Sequence, residues 1–140
     1  MLNQNKIVVA VKGIIIRAGK VLIVKRAKDD EIGAETWECV GGKIEFGESL
    51  ETALIREINE EVGLDVNVNK ILYATTFKTN PQRQVVIITY LCESNDGEVI
   101  LSPEHTDYQW VTKEQLKQFL HPNIITDFEK NNVFELEVII

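Results

Sequence analysis

Residues 42–64 read GKIEFGESLETALIREINEEVGL. Ser49 is a good N-cap, and the run behind it predicts a helix to about Val62 with Gly63 as its left-handed terminator. The end of that helix carries Glu57, Glu60 and Glu61, with Arg56 as the cation beside them. Like charges four apart on a helix repel even when exposed, and the macrodipole disfavours negative charge at a C-terminus. At about 100° per residue, with Glu57 at zero, Leu50, Leu54, Ile58 and Val62 form an apolar stripe from roughly 20° to 140°. Glu57 lies at its margin, Glu61 at about 40° falls between Leu50 and Leu54, and Glu60 at about −60° stands on the adjoining flank. Beside a buried face, two carboxylates ~6 Å apart repel by on the order of 3 kcal/mol at an effective dielectric of about 20. Arg56 cannot neutralise three acids. Either a glutamate keeps its proton or a cation of higher charge sits among them, and clustered hard oxygens suit Mg²⁺ or Mn²⁺. A solvated acidic face is the ordinary alternative, and the helix by itself does not decide.

On either side of this helix the chain reads as strands. KIVVAVKGIII (6–16) and VLIVKR (21–26) form a hairpin across Arg17-Ala18-Gly19-Lys20, and KDDEIGAET (28–36) is a polar loop. WECV (37–40) is a short strand running into Gly41-Gly42, where the backbone is expected to turn sharply; Gly47 supplies a second turn. VNKILYATTFKT (68–79) and QVVIITYLCES (84–94) are β-rich, joined at Asn80-Pro81. Asn95-Asp96-Gly97 marks a turn before EVIL (98–101), and DYQWV (107–111) is a short strand. Thr112 and Gln115 form a capping box for the helix KEQLKQFL, and a last helix covers 123–131. The tail VFELEVII (133–140) alternates Phe134, Leu136 and Val138 against two glutamates, which is strand patterning. Such a strand pairs either within the sheet or across a homodimer. Without repeats or linkers, this order predicts one α/β domain over 1–140 with a mixed sheet.

With 22 acidic against 15 basic residues the net charge is −7, and no Lys/Arg-rich run offers a surface for a nucleic-acid polymer. Cys39 and Cys92 match no metal-ligand spacing and read as free thiols. The N-terminus lacks the apolar core of a signal peptide, and no apolar run approaches a membrane span. A cytoplasmic protein without membrane contact is the expectation.

The opening segment resembles the Nudix box, G-x5-E-x7-R-E-U-x-E-E-x-G-U with U an aliphatic residue. Gly42, Glu48, Arg56, Glu57, Ile58, Glu60, Glu61, Gly63 and Leu64 fill its nine specified positions over 23 residues. The Gly-Gly ahead of the box, the preceding tryptophan and the late SPEHTDYQWVTKEQL segment are similar to the family too; Val40 stands where many members have proline. The resemblance implies an α/β/α sandwich and hydrolysis of a nucleoside diphosphate linked to some moiety X. It implies Glu57, Glu60 and Glu61 as ligands to Mg²⁺ or Mn²⁺, joined by the Gly42 carbonyl, with Arg56 orienting the first glutamate and Glu48 supporting the cluster. The alternative is a Nudix-fold module that binds a nucleotide without hydrolysing it, although such modules usually lose box acids.

Outside the box, Glu104 is the first candidate for the general base, ahead of Glu98 and Asp107; His105 reads more readily as a surface histidine, and His121 as a helix-end residue. Arg26 resembles an arginine that contacts substrate phosphate in relatives. Phe46 and Phe77, with Trp37 and Tyr73, are candidates to stack on a base. Pro81 lies near, but not at, the proline position characteristic of ADP-ribose pyrophosphatases. ADP-ribose-like or nucleotide-sugar diphosphates and (d)NTPs therefore stand nearly level as substrates.

Overall fold

A computed structural model describes residues 4–30 and 33–140. The readings of residues 1–3 at the N-terminus and of 31–32 in the polar loop fall outside the described residues. In chain order the elements are β1 (Lys6–Arg17), β2 (Lys20–Arg26), β3 (Trp37–Glu38), β4 (Val40–Lys43), α1 (Leu50–Val62), β5 (Asn67–Asn80), β6 (Arg83–Glu93), β7 (His105–Val111), α2 (Lys113–Phe119) and α3 (Pro122–Lys130). They form a mixed sheet ordered β3-β2-β1-β6-β5, with β7 on β2 and β4 on β1. β1 and β6 run parallel from Lys6↔Arg83 to Ile16↔Glu93; the other pairs are antiparallel.

The period of two along β1 sends Val11 and Ile15 to one face and Ile14 and Ile16 to the other. The first face packs on Ala53, Leu54, Ile58 and Val62 of α1, the second on Leu116, Leu120 and Phe128 of α2, its C-cap and α3. Helices therefore cover both faces, giving the α/β/α sandwich. Among the described residues no helix is long and apolar enough to cross a membrane. Cys39 and Cys92 are free and buried.

β1 pairs with β2 only at Ile16↔Val21 and Arg17↔Lys20, then parts from it and pairs Ala10–Gly13 with β4. The segment 37–43 crosses this split, with β3 on β2 and β4 on β1. Gly41 and Gly42 thus lie inside a strand, where a sharp turn out of one was expected. The glycines are needed for close approach instead: a Cβ on Gly41 would stand 2.0 Å from the Val11 carbonyl oxygen.

The tail also departs from expectation. Its alternation competes with a spacing of three, Val133–Leu136–Ile139, and the second pattern wins. Asn132 takes a left-handed conformation (φ 58°), Val133–Glu135 form a 3₁₀ turn, and Val133 and Ile139 are buried against the α2–α3 core. Two backbone bonds tie Ile140 down within the chain: its N–H donates to the Gly19 carbonyl, and its carbonyl accepts from the Lys113 N–H. No strand forms there to pair across a dimer.

Candidate active site

α1 is capped as its sequence requires. Ser49 Oγ accepts from the Thr52 N–H, and the Gly63 N–H, at φ 70°, donates to the Asn59 carbonyl. Along the helix the three acids separate by exposure. The Glu61 residue is 6% exposed, the Glu57 side chain 15% and the Glu60 side chain 58%, following their angular distance from the middle of the apolar stripe. Arg56 gathers the flank. It grips Glu48 with two parallel bonds, Nε to Oε2 at 2.7 Å and Nη2 to Oε1 at 2.8 Å, while Nη1 reaches Glu57 at 3.0 Å and Glu60 at 3.2 Å. Its Nη2 also donates to the Lys43 carbonyl at 3.1 Å, fastening the helix to β4. The fork, joined by the Glu45 N–H, holds the Glu48 carboxyl down at about 2.

Glu61 faces inward, where its Oε2 accepts from the Gly41 N–H at 3.0 Å. Burial pushes its carboxyl up to about 8; the nearby Lys12 charge opposes that shift and a hydrogen bond with Glu104 reinforces it. Burial raises Glu57 as well, against the pull of Arg56. A Cβ on Gly42 would lie 2.4 Å from Glu57 Oε2, so this carboxylate rests directly on glycine backbone.

These groups line one end of a cleft of about 630 Å³. The floor is a half-buried ionic cluster centred on Glu38, which accepts from Lys12 Nζ (3.3 Å) and Arg26 Nη1 (2.9 Å) on Oε1 and from the buried His105 on Oε2 (2.9 Å). Burial would raise the Glu38 carboxyl, but Lys12, His105 and Arg26 together bring it to about 2. Toward the other end Tyr73, Thr75, Phe77 and Thr79, successive same-face residues of β5, meet Ile124, Asp127 and Phe128 of α3.

The structure thus brings Gly42, Glu57, Glu61, Glu104, Arg26, Tyr73 and Phe77 to one cleft. Glu60 stays outside its lining but shares Arg56 with Glu57. Phe46 stands fully exposed in the loop before α1, away from the cleft, and Trp37 packs edge-on against Phe119 in the core. Arg26 lines the cleft with its guanidinium paired to Asp30 and Glu38. His105, expected at the surface, is buried. His121 is the N-cap of α3, its Nδ1 accepting from the Asn123 N–H. Sequence reasoning missed Lys12 and Glu38. Their one signal was a charge at an inward position of an apolar strand, Lys12 between Val11 and Gly13 and Glu38 between Trp37 and Cys39.

Comparison with known proteins agrees with this geometry. A family model described as NUDIX domain matches residues 6–129. The chain is 32% identical over 124 residues to the ADP-ribose pyrophosphatase of Methanocaldococcus jannaschii, covering 86% of this chain and 72% of that one. It is 30% identical over 115 residues to the CTP pyrophosphohydrolase of Escherichia coli strain K12, covering 81% and 82%. The fold superposes on the crystal structure of a MutT protein from Methanosarcina mazei Go1 with a TM-score of 0.84 at 25% identity, over 95% of this chain and 98% of that one. With a complete box running from β4 through α1, a matching fold and a family model spanning nearly its whole length, the chain belongs to the NUDIX family.

Proposed function

We propose that this Nudix pyrophosphohydrolase cleaves the diphosphate of a nucleoside diphosphate linked to X, using Mg²⁺ or Mn²⁺ held by Glu57, Glu60 and Glu61 with the Gly42 carbonyl. One observation carries the reading: a single cleft joins the buried Glu61 and half-buried Glu57, both on glycine backbone, at one end to an aromatic and threonine wall at the other. The first end suits a cation and the diphosphate, the second a nucleoside. The donor set fits a small hard dication. Glu57 crowds onto Gly42 in a space that any Cβ would fill, and Glu61 is a carboxyl whose proton such an ion would displace. Bound there, the ion would offset the charge of the diphosphate and ease deprotonation of water.

The chain's own residues do the rest. Arg56 fixes Glu57 and ties α1 to Glu48 and Lys43, so the carboxylates are presented from a rigid helix end. Tyr73, Phe77 and Phe128 offer faces and edges for a base. In the reaction a water oxygen bonds to one phosphorus, the bond from that phosphorus to the bridging oxygen breaks, and the bridging oxygen leaves with its electron pair. The water's proton goes to a carboxylate, and we assign that role to Glu104, a reading supported by its position in the cleft beside Glu61. ADP-ribose and CTP, the compounds in the two relatives' names, share a nucleoside diphosphate carrying a further group.

A hydrolysis screen with Mg²⁺ and Mn²⁺ tests this reading. The panel is ADP-ribose, nucleotide sugars, dinucleoside polyphosphates and (d)NTPs including 8-oxo-dGTP, with Glu61→Gln run in parallel. One class should turn over, and the variant should lose at least about a hundredfold, because a metal's charge stabilisation supplies several kcal/mol. Silence across the panel with nucleotide still bound would overturn hydrolysis in favour of a sensing module.

A further inference from the structure

His105 opens β7, and its side chain is only 3% exposed. Its Nε2 lies 2.9 Å from Glu38 Oε2. Glu38 is flanked by Lys12 and Arg26, so it is an ionised acceptor and Nε2 carries the ring hydrogen. Nδ1 is the ring nitrogen left over, turned away from that bond. Among the described residues it is the one buried side-chain polar atom without a hydrogen-bond partner. Leaving such an atom unsatisfied is costly, so an orphan inside an active-site cleft calls for a reason.

The surroundings supply one. A ring nitrogen of His105 and one carboxylate oxygen each from Glu61 and Glu104 lie within 4.8 Å of one another, close enough to share an ion. Lys12 and Arg26 are both turned onto Glu38, and among the described residues no cationic side chain is bonded to the Glu61 and Glu104 carboxylates. A histidine that ligates a metal almost always donates its other ring N–H to a carboxylate or carbonyl, and Glu38 does that here.

We propose that His105 is a metal ligand, its imidazole nitrogen joining Glu61 and Glu104 in a mixed nitrogen–oxygen site for a divalent cation, with Glu38 orienting the ring. The proposal rests on the metal-dependent hydrolase reading. It adds a ligand from outside the box helix and a consequence for metal choice. Each carboxylate gives one oxygen, so the second oxygen of Glu104 remains for the proton. An imidazole donor favours Mn²⁺ and Co²⁺ over Mg²⁺ more than an all-oxygen set does.

Pulsed electron paramagnetic resonance on the Mn²⁺-loaded protein reads this without turnover. The chain has two histidines, so histidine labelled with ¹⁵N reports only on His105 and His121. Wild type should show nitrogen coupling that changes with the label, retained in His121→Asn and lost in His105→Gln. In His105→Gln, Co²⁺ affinity should fall at least about tenfold and Mg²⁺ affinity less than about threefold. The wild-type spectrum stands even if His105→Gln does not fold. Bound Mn²⁺ with an oxygen-only spectrum, in a protein that still hydrolyses its substrate, would overturn the His105 site and leave the hydrolase reading standing. Absence of any bound Mn²⁺ would overturn both.

Discussion

A Cβ on Gly41 would meet the Val11 carbonyl oxygen at 2.0 Å, whereas one on Gly42 would meet the Glu57 carboxylate. The first obstacle is backbone inside the sheet and cannot yield; the second is the end of a side chain and can. Gly41→Ala should therefore unfold at lower temperature, since forced overpacking costs about 1–3 kcal/mol. Gly42→Ala should keep its melting temperature but bind Mg²⁺ at least about tenfold more weakly, because Glu57 is displaced. Melting in chelator beside calorimetric Mg²⁺ titration separates the two, and identical profiles would sink the distinction. Glu61 carries a pH signature of its own. Its folded carboxyl titrates at about 8 against an ordinary 4.5, so between those values the folded chain holds a proton that the unfolded chain has released. In chelator, stability from this group should be present below about pH 4.5 and fall as pH rises through 8, and Glu61→Gln should flatten that slope. A slope unchanged in the variant would assign it to other groups. Glu61's burial was legible because helical angle is read directly from residue number. The meeting of Lys12, Glu38 and His105 was not, because it follows from how β1, β2 and β3 part and rejoin, which no local spacing encodes.

At the level of elements, α1 and the tail show what a pattern can and cannot specify. The Ser49 cap, the stripe from Leu50 to Val62 and the Gly63 terminator all require the same helix, and that helix forms from Leu50 to Val62. The residues from 133 onward fit two periods at once, and tertiary burial chose between them. Ile139, outside the alternating set, became the buried residue, while Val138 is 45% exposed. Ile139→Ala should accordingly cost about 2–4 kcal/mol in denaturant melts and Val138→Ala under about 1 kcal/mol. Equal costs would restore the strand pattern as the better description of the tail. The same limit applies to Gly41: a glycine marks a place where a side chain would intrude, and a sharp turn and a close approach of backbones look alike in one dimension.

For the molecule as a whole, the decisive feature is the parting of β1 from β2, which lets 37–43 cross between them and brings Glu38 and the two glycines to the end of α1. The α/β class with a mixed sheet was legible from the order of elements, and the two helical layers were implied by the resemblance of the box. The cleft was not, because its second wall comes from β5 and α3, far along the chain from the box. Whether a cation belongs in that cleft can be asked of stability alone. A single site saturated about a hundredfold above its Kd stabilises the fold by ~2.7 kcal/mol, on the order of 5–10 °C for a domain of this size. Mg²⁺ would also relieve the repulsion of a chain with net charge −7, but that diffuse effect depends on ionic strength and not on one carboxylate. Mg²⁺ should therefore raise the melting temperature of wild type well beyond NaCl of equal ionic strength, while in Glu57→Gln the two salts should act nearly alike. If Mg²⁺ shifts both proteins equally, the carboxylates of α1 are an acidic surface and not a metal site.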